Sequence, residues 1–350
     1  MANMNIRTPR FYCDRISYLM SRGLAQDGNF DVFATSSGSH FVGIKSGGGT
    51  EAELFDMNPL NKVTFDTSAS GTTQADHVLI NIDTQSTLSK KSFVAILNHN
   101  CSSADAKIRI RGSNTESHIQ AADMASASYP TLKEIVNGDT VSTSQVTPAT
   151  DGSTIISWSG GEQAYQYWGI QFEGDGGNTF DGSTDLFVGC IMIGEYFEMP
   201  HAPDMNITRM ISYNRMNDLQ ESHGGQRFSN LKSFGRTASS TSKSPFTTAS
   251  NGYDSYGGRI IYDMNFSFIS AANMMPDEYD IIAVEDNFVS DVWNMTNGNH
   301  LPFIMSIDKD SEGDNAESEH IFGRFANNSL DMKQVAPDMY NISLTVEEEF

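Results

Sequence analysis

The stretch from Arg259 to Ser270 constrains this chain most. Ile260, Tyr262, Met264, Phe266 and Phe268 fall on one face, and Arg259, Asp263, Asn265 and Ser267 on the other; only Ile261 and Ile269 break the alternation. A period of two is the signature of a strand and does not suit a helix. About ten alternating residues make a long strand for a soluble domain. The rest of the chain follows suit. Tyr340, Ile342, Leu344 and Val346 alternate near the end, and shorter strands are expected at Phe303–Ile307 and His320–Phe325. In the first half, Ile108 and Ile110 alternate with Lys107, Arg109 and Arg111, which are expected to face water, and Trp168, Ile170 and Phe172 share one face of Tyr165–Phe172. Thr154 to Trp158 reads as a further strand. Phe93-Val94-Ala95-Ile96-Leu97 is continuously apolar and suits a strand buried on both faces. Asp185 to Phe197 is long and apolar, with Gly189 and Gly194 inside it, where a bulge or a close backbone approach is expected.

Helix is a minor component in this reading. Thr131 to Val136 is expected to form a helical turn or two. Tyr279, Ile282, Ala283, Val289, Val292 and Trp293 are helix-spaced, with a break near Asn287. The fold class is therefore mainly β: two β-sandwich domains, an N-terminal jelly roll and a C-terminal sandwich carrying one helix. A chain of 350 residues has room for two domains at about 150 residues each. Pro200 and Pro203 place the boundary, because neither continues a helix or pairs in a central strand. Residues 1–197 are then the jelly roll, 198–205 the linker and 206–350 the second β domain. Thr237 to Ser244 is a polar tract expected in an exposed loop.

Charge narrows the partners. Twenty-two basic residues against 44 acidic ones leave a net charge of −22. Such a surface lacks the basic footprint that phosphate backbones and anionic membranes require. No apolar run approaches a membrane span, and the first residues lack the apolar core of a secretory signal. Cys13, Cys101 and Cys190 are far apart and outside any CxxC spacing, so buried reduced thiols are expected, with neither a disulfide framework nor a zinc site.

Signals for chemistry are sparse. Asp308 to Glu319 nearly matches a calcium loop, departing at Glu312 and Asn315, and also reads as a solvated hairpin loop; Glu173 to Asp181 is a second acidic, glycine-rich loop. Gly47-Gly48-Gly49 lacks the Lys-Ser/Thr of a phosphate loop. His99 follows the buried run, either as a polar contact at a loop rim or as a turn histidine bonding its neighbours. No nucleophile elbow or HExxH occurs. No catalytic, cofactor-binding or metal-binding residue is assigned, and a non-enzymatic role is expected. Trp158, Tyr165, Tyr167 and Trp168 are candidates for a sugar-binding platform, or for core.

Two groups of residues carry a resemblance. Phe93 to Asn100 with Ala104 to Ser113, and Tyr167 to Phe172 with Leu186 to Phe197, resemble the two halves of the galactose-binding-like jelly roll found in phage tail proteins. Gly169 stands where that family's aromatic strand usually carries Arg. Met199 to Asn206, His223 to Ser229, Gly258 to Phe268 and Tyr340 to Glu349 are similar to tail-tip and virion structural proteins of tailed phages. The resemblance implies a structural component of a virion, assembled in the host cytoplasm: a tail-tip, distal-tail, baseplate or adaptor-ring subunit, with itself and other tail proteins as partners. The alternative is a tail appendage that recognises a host-surface glycan. Residues 206–350 are expected to make the ring. Residues 276–350 hold 17 acidic and 3 basic side chains, a net of −14, which suits a lumen that repels DNA.

Overall fold

The structure is a computed structural model of the 350-residue chain. It describes residues 7–24, 29–33, 41–68, 77–88, 91–120, 126–142, 144–158, 164–174, 180–212, 219–229, 245–246, 259–277, 286–313 and 316–349. The chain is mainly β, and two antiparallel sheets carry most of the described strands. The smaller has six, in the order Phe30–Phe33, His77–Leu88, Tyr165–Gly174, Ala106–Ser113, Gln145–Thr147 and Asp139–Ser142. The larger has eleven. Its path runs Thr208–Ser212, Arg259–Ser270, Met339–Glu348, His320–Phe325, Phe303–Ser306, Arg10–Tyr12, Cys190–Glu198, Ser92–His99, Gly152–Trp158 and Lys133–Val136, and Lys333–Ala336 pairs with Met339–Glu348 beside it.

The two sheets face each other over the first half of the chain as a jelly-roll-like β-sandwich. Ile80, Ile82, Ile108, Ile110, Trp168, Ile170 and Phe172 of the smaller sheet meet Val94, Ile96, Ile156, Ile191 and Ile193 of the larger. Each such side chain contributes about 1.5–3 kcal/mol by leaving water. The strand Ser92–His99 is buried on both faces. Phe93, Ala95 and Leu97 point the other way, into a second cluster with Tyr12, Ile155, Met192, Ile304 and Phe322. That double burial is why its sequence does not alternate. A third cluster, around Phe11, Phe266, Phe303, Phe325 and Leu344, fills the other half.

One sheet runs through the expected boundary. Phe11 is paired with Phe197 on one side and with Met305 on the other, so Arg10–Tyr12 joins strands from both halves. Residues 198–205 are anchored along the way: the Met199 amide donates to the Pro9 carbonyl, the Asp204 amide to the Asn265 carbonyl, and the Ser267 hydroxyl to Asp204.

Several local expectations change. Lys133–Val136 is a strand, because pairing with Gly152–Trp158 overrides a weak helical pattern. Ala271–Met274 is a short helix and Val289–Asn294 a π-helix, while Tyr279, Ile282 and Ala283 lie outside the described residues. The Thr237–Ser244 tract lies outside them too. Arg259–Ser270 has the expected bounds, but its ladder with Met339–Glu348 bulges between Phe266 and Ile269. The bulge turns Ile269 into the core and Phe268, at φ 62°, out to 65% exposure.

The helix Arg15–Ser21 was unforeseen. Asp14 caps it: Oδ2 accepts from the Ser17 amide at 2.6 Å, while Oδ1 accepts from the Ile193 amide at 2.8 Å. One carboxylate thus ties the helix to a central strand. Gly194 permits the approach, since a Cβ there would lie 2.4 Å from the Cys13 carbonyl oxygen. All three cysteines are buried and form no disulfide.

Candidate functional site

Alternation along the smaller sheet sends Val78, Ile80, Ile82, Trp168 and Ile170 inward, and so sends Asn81, Asp83, Tyr167 and Gly169 to the opposite face. Register brings the outward set together. Asp31 is directly opposite Asn81, Asp83 opposite Tyr167, and Gly169 lies between Asn81 and Arg111. Here a cleft of about 340 Å³ opens, lined by Asp31, Glu51, Asn81, Asp83, Glu116 and Tyr167 among others. Its described lining contains no basic side chain. Asp83 is held by the Gln85 amide at 2.7 Å and by Gln166 Nε2 at 2.8 Å, both donating to Oδ1. Asn81 is only 8% exposed, and its Oδ1 is buried with no hydrogen-bond partner. Leaving a buried acceptor unmade costs about 1–3 kcal/mol.

The same face continues beyond Gly169. A Cβ at Gly169 would lie 2.9 Å from Arg111 Cγ, so Arg111 lies across the space the glycine leaves. Arg111 was expected to face water, yet it is 1% exposed, with its guanidinium 5.6 Å from the Tyr129 ring centroid. Burial holds its pKa below the usual arginine value. Next to it, Arg109 meets Glu173 through two bonds of 2.8 and 3.0 Å, and Gln145 and Gln171 donate to the same carboxylate.

The four candidate aromatics separate. Trp158 and Trp168 are core, with ring centroids 4.8 Å apart. Tyr165 packs against that core, and Tyr167 alone lines the cleft. His99 is buried: its Nδ1 accepts from the Cys101 amide at 3.2 Å, so Nε2 carries the proton toward Thr154 Oγ1 at 2.8 Å. Burial lowers its pKa to about 4, against the attraction of Asp151. It braces a turn rather than a rim. In the 308–319 loop three of the described carboxylates face cations: Asp308 and Asp310 face Arg7, Asp310 also Lys309, and Glu312 meets Lys133 at 2.7 Å. The Gly313 amide donates to the Ile135 carbonyl, docking the loop on the jelly roll. Residues 175–179 of the second acidic loop lie outside the described residues. Among the described residues, no three or more His, Cys, Asp or Glu come together to hold a metal ion.

A larger cleft of about 580 Å³ lies where Asp56–Leu60 approaches the end of the chain. Several of its polar groups are engaged with one another: Arg324 with Glu349 and the His300 carbonyl, Arg259 with Glu347, and Glu348 with the Ile260 amide.

No family model matches the chain, and no curated protein matches it. Two solved structures are similar. One is chitosan-binding module 1 of a chitosanase/glucanase from Paenibacillus sp. IK-5, at 16% identity, covering 47% of this chain and 94% of that one, with a TM-score of 0.28. The other is CpGH89CBM32-6 produced by Clostridium perfringens, at 13% identity, covering 49% and 95%, with a TM-score of 0.21. Neither likeness indicates where a ligand would sit.

Proposed function

We propose that the chain is a non-catalytic binding protein whose jelly roll takes a hydroxyl-rich ligand, a glycan, in the cleft beside Tyr167. The observation that carries this is the cleft itself, which gathers the carboxylates and amides of Asp31, Asn81, Asp83, Glu116 and Gln120 around the ring of Tyr167. Sugar hydroxyls donate to such oxygens, and an aromatic ring receives the apolar face of a pyranose. The test is binding of the full chain to an array of immobilised glycans, repeated with Asn81→Leu and Tyr167→Ala. Asn81→Leu is expected to keep or raise the melting temperature, since it removes an unsatisfied buried oxygen, while abolishing binding. Tyr167→Ala is expected to weaken binding about fivefold to tenfold, the loss of about 1–1.4 kcal/mol of ring contact. No glycan retained by the unmodified chain, or full retention by both variants, defeats the reading.

A second reading takes the chain as a subunit of a tailed-phage particle that assembles through residues 206–350, and the end of the larger sheet supports only its self-association part. Among the described residues Thr208–Ser212 is the last strand of that sheet, and Met205, Met210 and Ile211 are exposed beside it. Such an edge is a template for association. With a net charge of −22, added salt is expected to strengthen assembly by screening self-repulsion. Sedimentation of the full chain at low and high salt checks this, with Ile211→Lys expected to stay monomeric. A monomer at every salt concentration sinks the self-assembly claim.

A further inference from the structure

We infer that Phe246 is an acid-released latch: at neutral pH it seals the seam between the two halves of the chain, and it lets go when His320 takes up a proton. Pro245 and Phe246 are the described residues between Ser229 and Arg259. Phe246 is buried in a cluster that draws Phe93 and Ile155 from the jelly roll and Ile304 and Phe322 from the other half. The Pro245 carbonyl accepts from Ser153 Oγ at 2.8 Å, and Pro245 also lines the cleft of about 580 Å³. The pair therefore touches both halves at once. The His320 ring centroid lies 6.0 Å from that of Phe246 and 6.0 Å from that of Tyr12.

His320 is 2% exposed. Its Nδ1 donates to the Ala316 carbonyl at 2.9 Å, so Nε2 carries the lone pair, buried with no hydrogen-bond partner. A proton there would be a cationic donor without an acceptor. The groups around the ring are Arg10 and Tyr12 from the first strand, Tyr196 with its centroid 5.6 Å from that of Tyr12, Ser306 opposite in register, and Glu317 and Glu319 on the turn that leads into His320. Arg10 is paired with Glu198, and Glu312 with Lys133. Burial lowers the imidazole to about 4 from an ordinary 6.5, against the Ala316 hydrogen bond and with the help of the Arg10 charge. Of the residues packed on His320, Phe246 alone belongs to no described strand or helical turn, so it is the wall that opens with least disruption. Its release lets water reach Nε2 and uncovers the pocket of Tyr12, Phe93 and Phe322.

Between pH 6.5 and 4 the open form takes up a proton that the sealed form refuses, so acid favours opening. With midpoints of about 4 sealed and 6.5 open, the opening constant is about 50-fold larger at pH 4.5 than at pH 7. The test is hydrogen–deuterium exchange of the full chain at these two pH values, each rate divided by its intrinsic rate at that pH. The peptide carrying Phe246 is expected to lose about 50-fold of its protection, while Ser92–His99 loses far less. In His320→Gln the loss at Phe246 is expected to shrink below about threefold. The converse measurement needs no change at His320. Phe246→Ala is expected to raise the His320 midpoint from about 4 to above about 5.5, read from its imidazole proton shifts, while His99 stays near 4. An equal loss of protection at Ser92–His99 would make the response global unfolding and overturn the latch. An undiminished loss in His320→Gln assigns the response to another group and overturns it too. Should His320→Gln not fold, Phe246→Ala decides: an unmoved His320 midpoint shows that Phe246 is not what keeps the proton out.

Discussion

Replacing Phe11 by alanine is expected to cost about 3–5 kcal/mol of unfolding free energy, the upper range for a large aromatic removed from a packed core. The side chain is fully buried, and its ring centroid lies 5.8 Å from Phe288, 5.7 Å from Phe303 and 6.1 Å from Phe325. It belongs to the second half's core, although it comes from the eleventh residue of the chain. The measurement is urea unfolding followed by tryptophan fluorescence. Trp158 and Trp168 report on the jelly roll and Trp293 on the other core. With Trp293 as the sole remaining tryptophan, the transition is expected to move to lower urea by the full amount. A shift confined to the jelly-roll tryptophans would show that Phe11 does not stabilise the second half. Coincident transitions from both probes in the unmodified chain are expected of a sheet shared across residues 198–205; two separate transitions would support independent domains at 1–197 and 206–350.

Stability is expected to fall by about 3 kcal/mol between pH 7 and pH 4, from the balance of three buried groups worth about 1.4 kcal/mol per pH unit each. Burial lowers His99 and His320 to about 4, from an ordinary 6.5. Below pH 6.5 the unfolded chain takes up protons that the folded chain refuses, so their contribution is full above 6.5 and lost as pH falls toward 4. Asp14 acts with the opposite sign. Burial raises it to about 6, against the hydrogen bonds from Ser17 and Ile193, so its contribution is present in acid and lost as pH rises through 6. Two histidines outweigh one aspartate, leaving a net slope of about one proton between pH 4.5 and 6. Urea titrations across this range check the sign. Asp14→Asn is expected to steepen the slope, and stability that is flat or rises toward pH 4 would contradict the assignment.

Strands that bury one or both faces were readable from residue order alone. His320–Phe325 has its expected bounds, and Phe93–Leu97 is buried on both faces as its unbroken apolar run required. Two kinds of feature were not readable. One is any element whose form is decided by a distant partner: Lys133–Val136 is a strand only because Gly152–Trp158 lies beside it, and the bulge at Phe268 comes from its ladder with Met339–Glu348. The other is the cleft itself. Val78-Leu79-Ile80-Asn81-Ile82-Asp83 places its polar residues at a period of two, a signal present in the sequence. Nothing local tells that Asp31 and Tyr167 flank that strand, because register across 50 to 84 residues decides it. Of the aromatic candidates, Trp158 and Trp168 take the core alternative, because they alternate with core residues and follow them inward, while Tyr167 lines the cleft.

The insertion of Arg10–Tyr12 between Cys190–Glu198 and Phe303–Ser306 sets an order of events during synthesis. Arg10–Tyr12 has one neighbour that appears about 185 residues later and another about 290 residues later. At about 5–20 residues per second, its second edge waits roughly 15–60 s on the ribosome before the partner strand exists. Throughout that interval the jelly roll can be complete while a strand edge beside Phe11 stands open to any other nascent chain. The closing pairing thus becomes available long after the strand itself, and polysome crowding, rather than the stability of the finished fold, is where this edge is exposed to mispairing between copies.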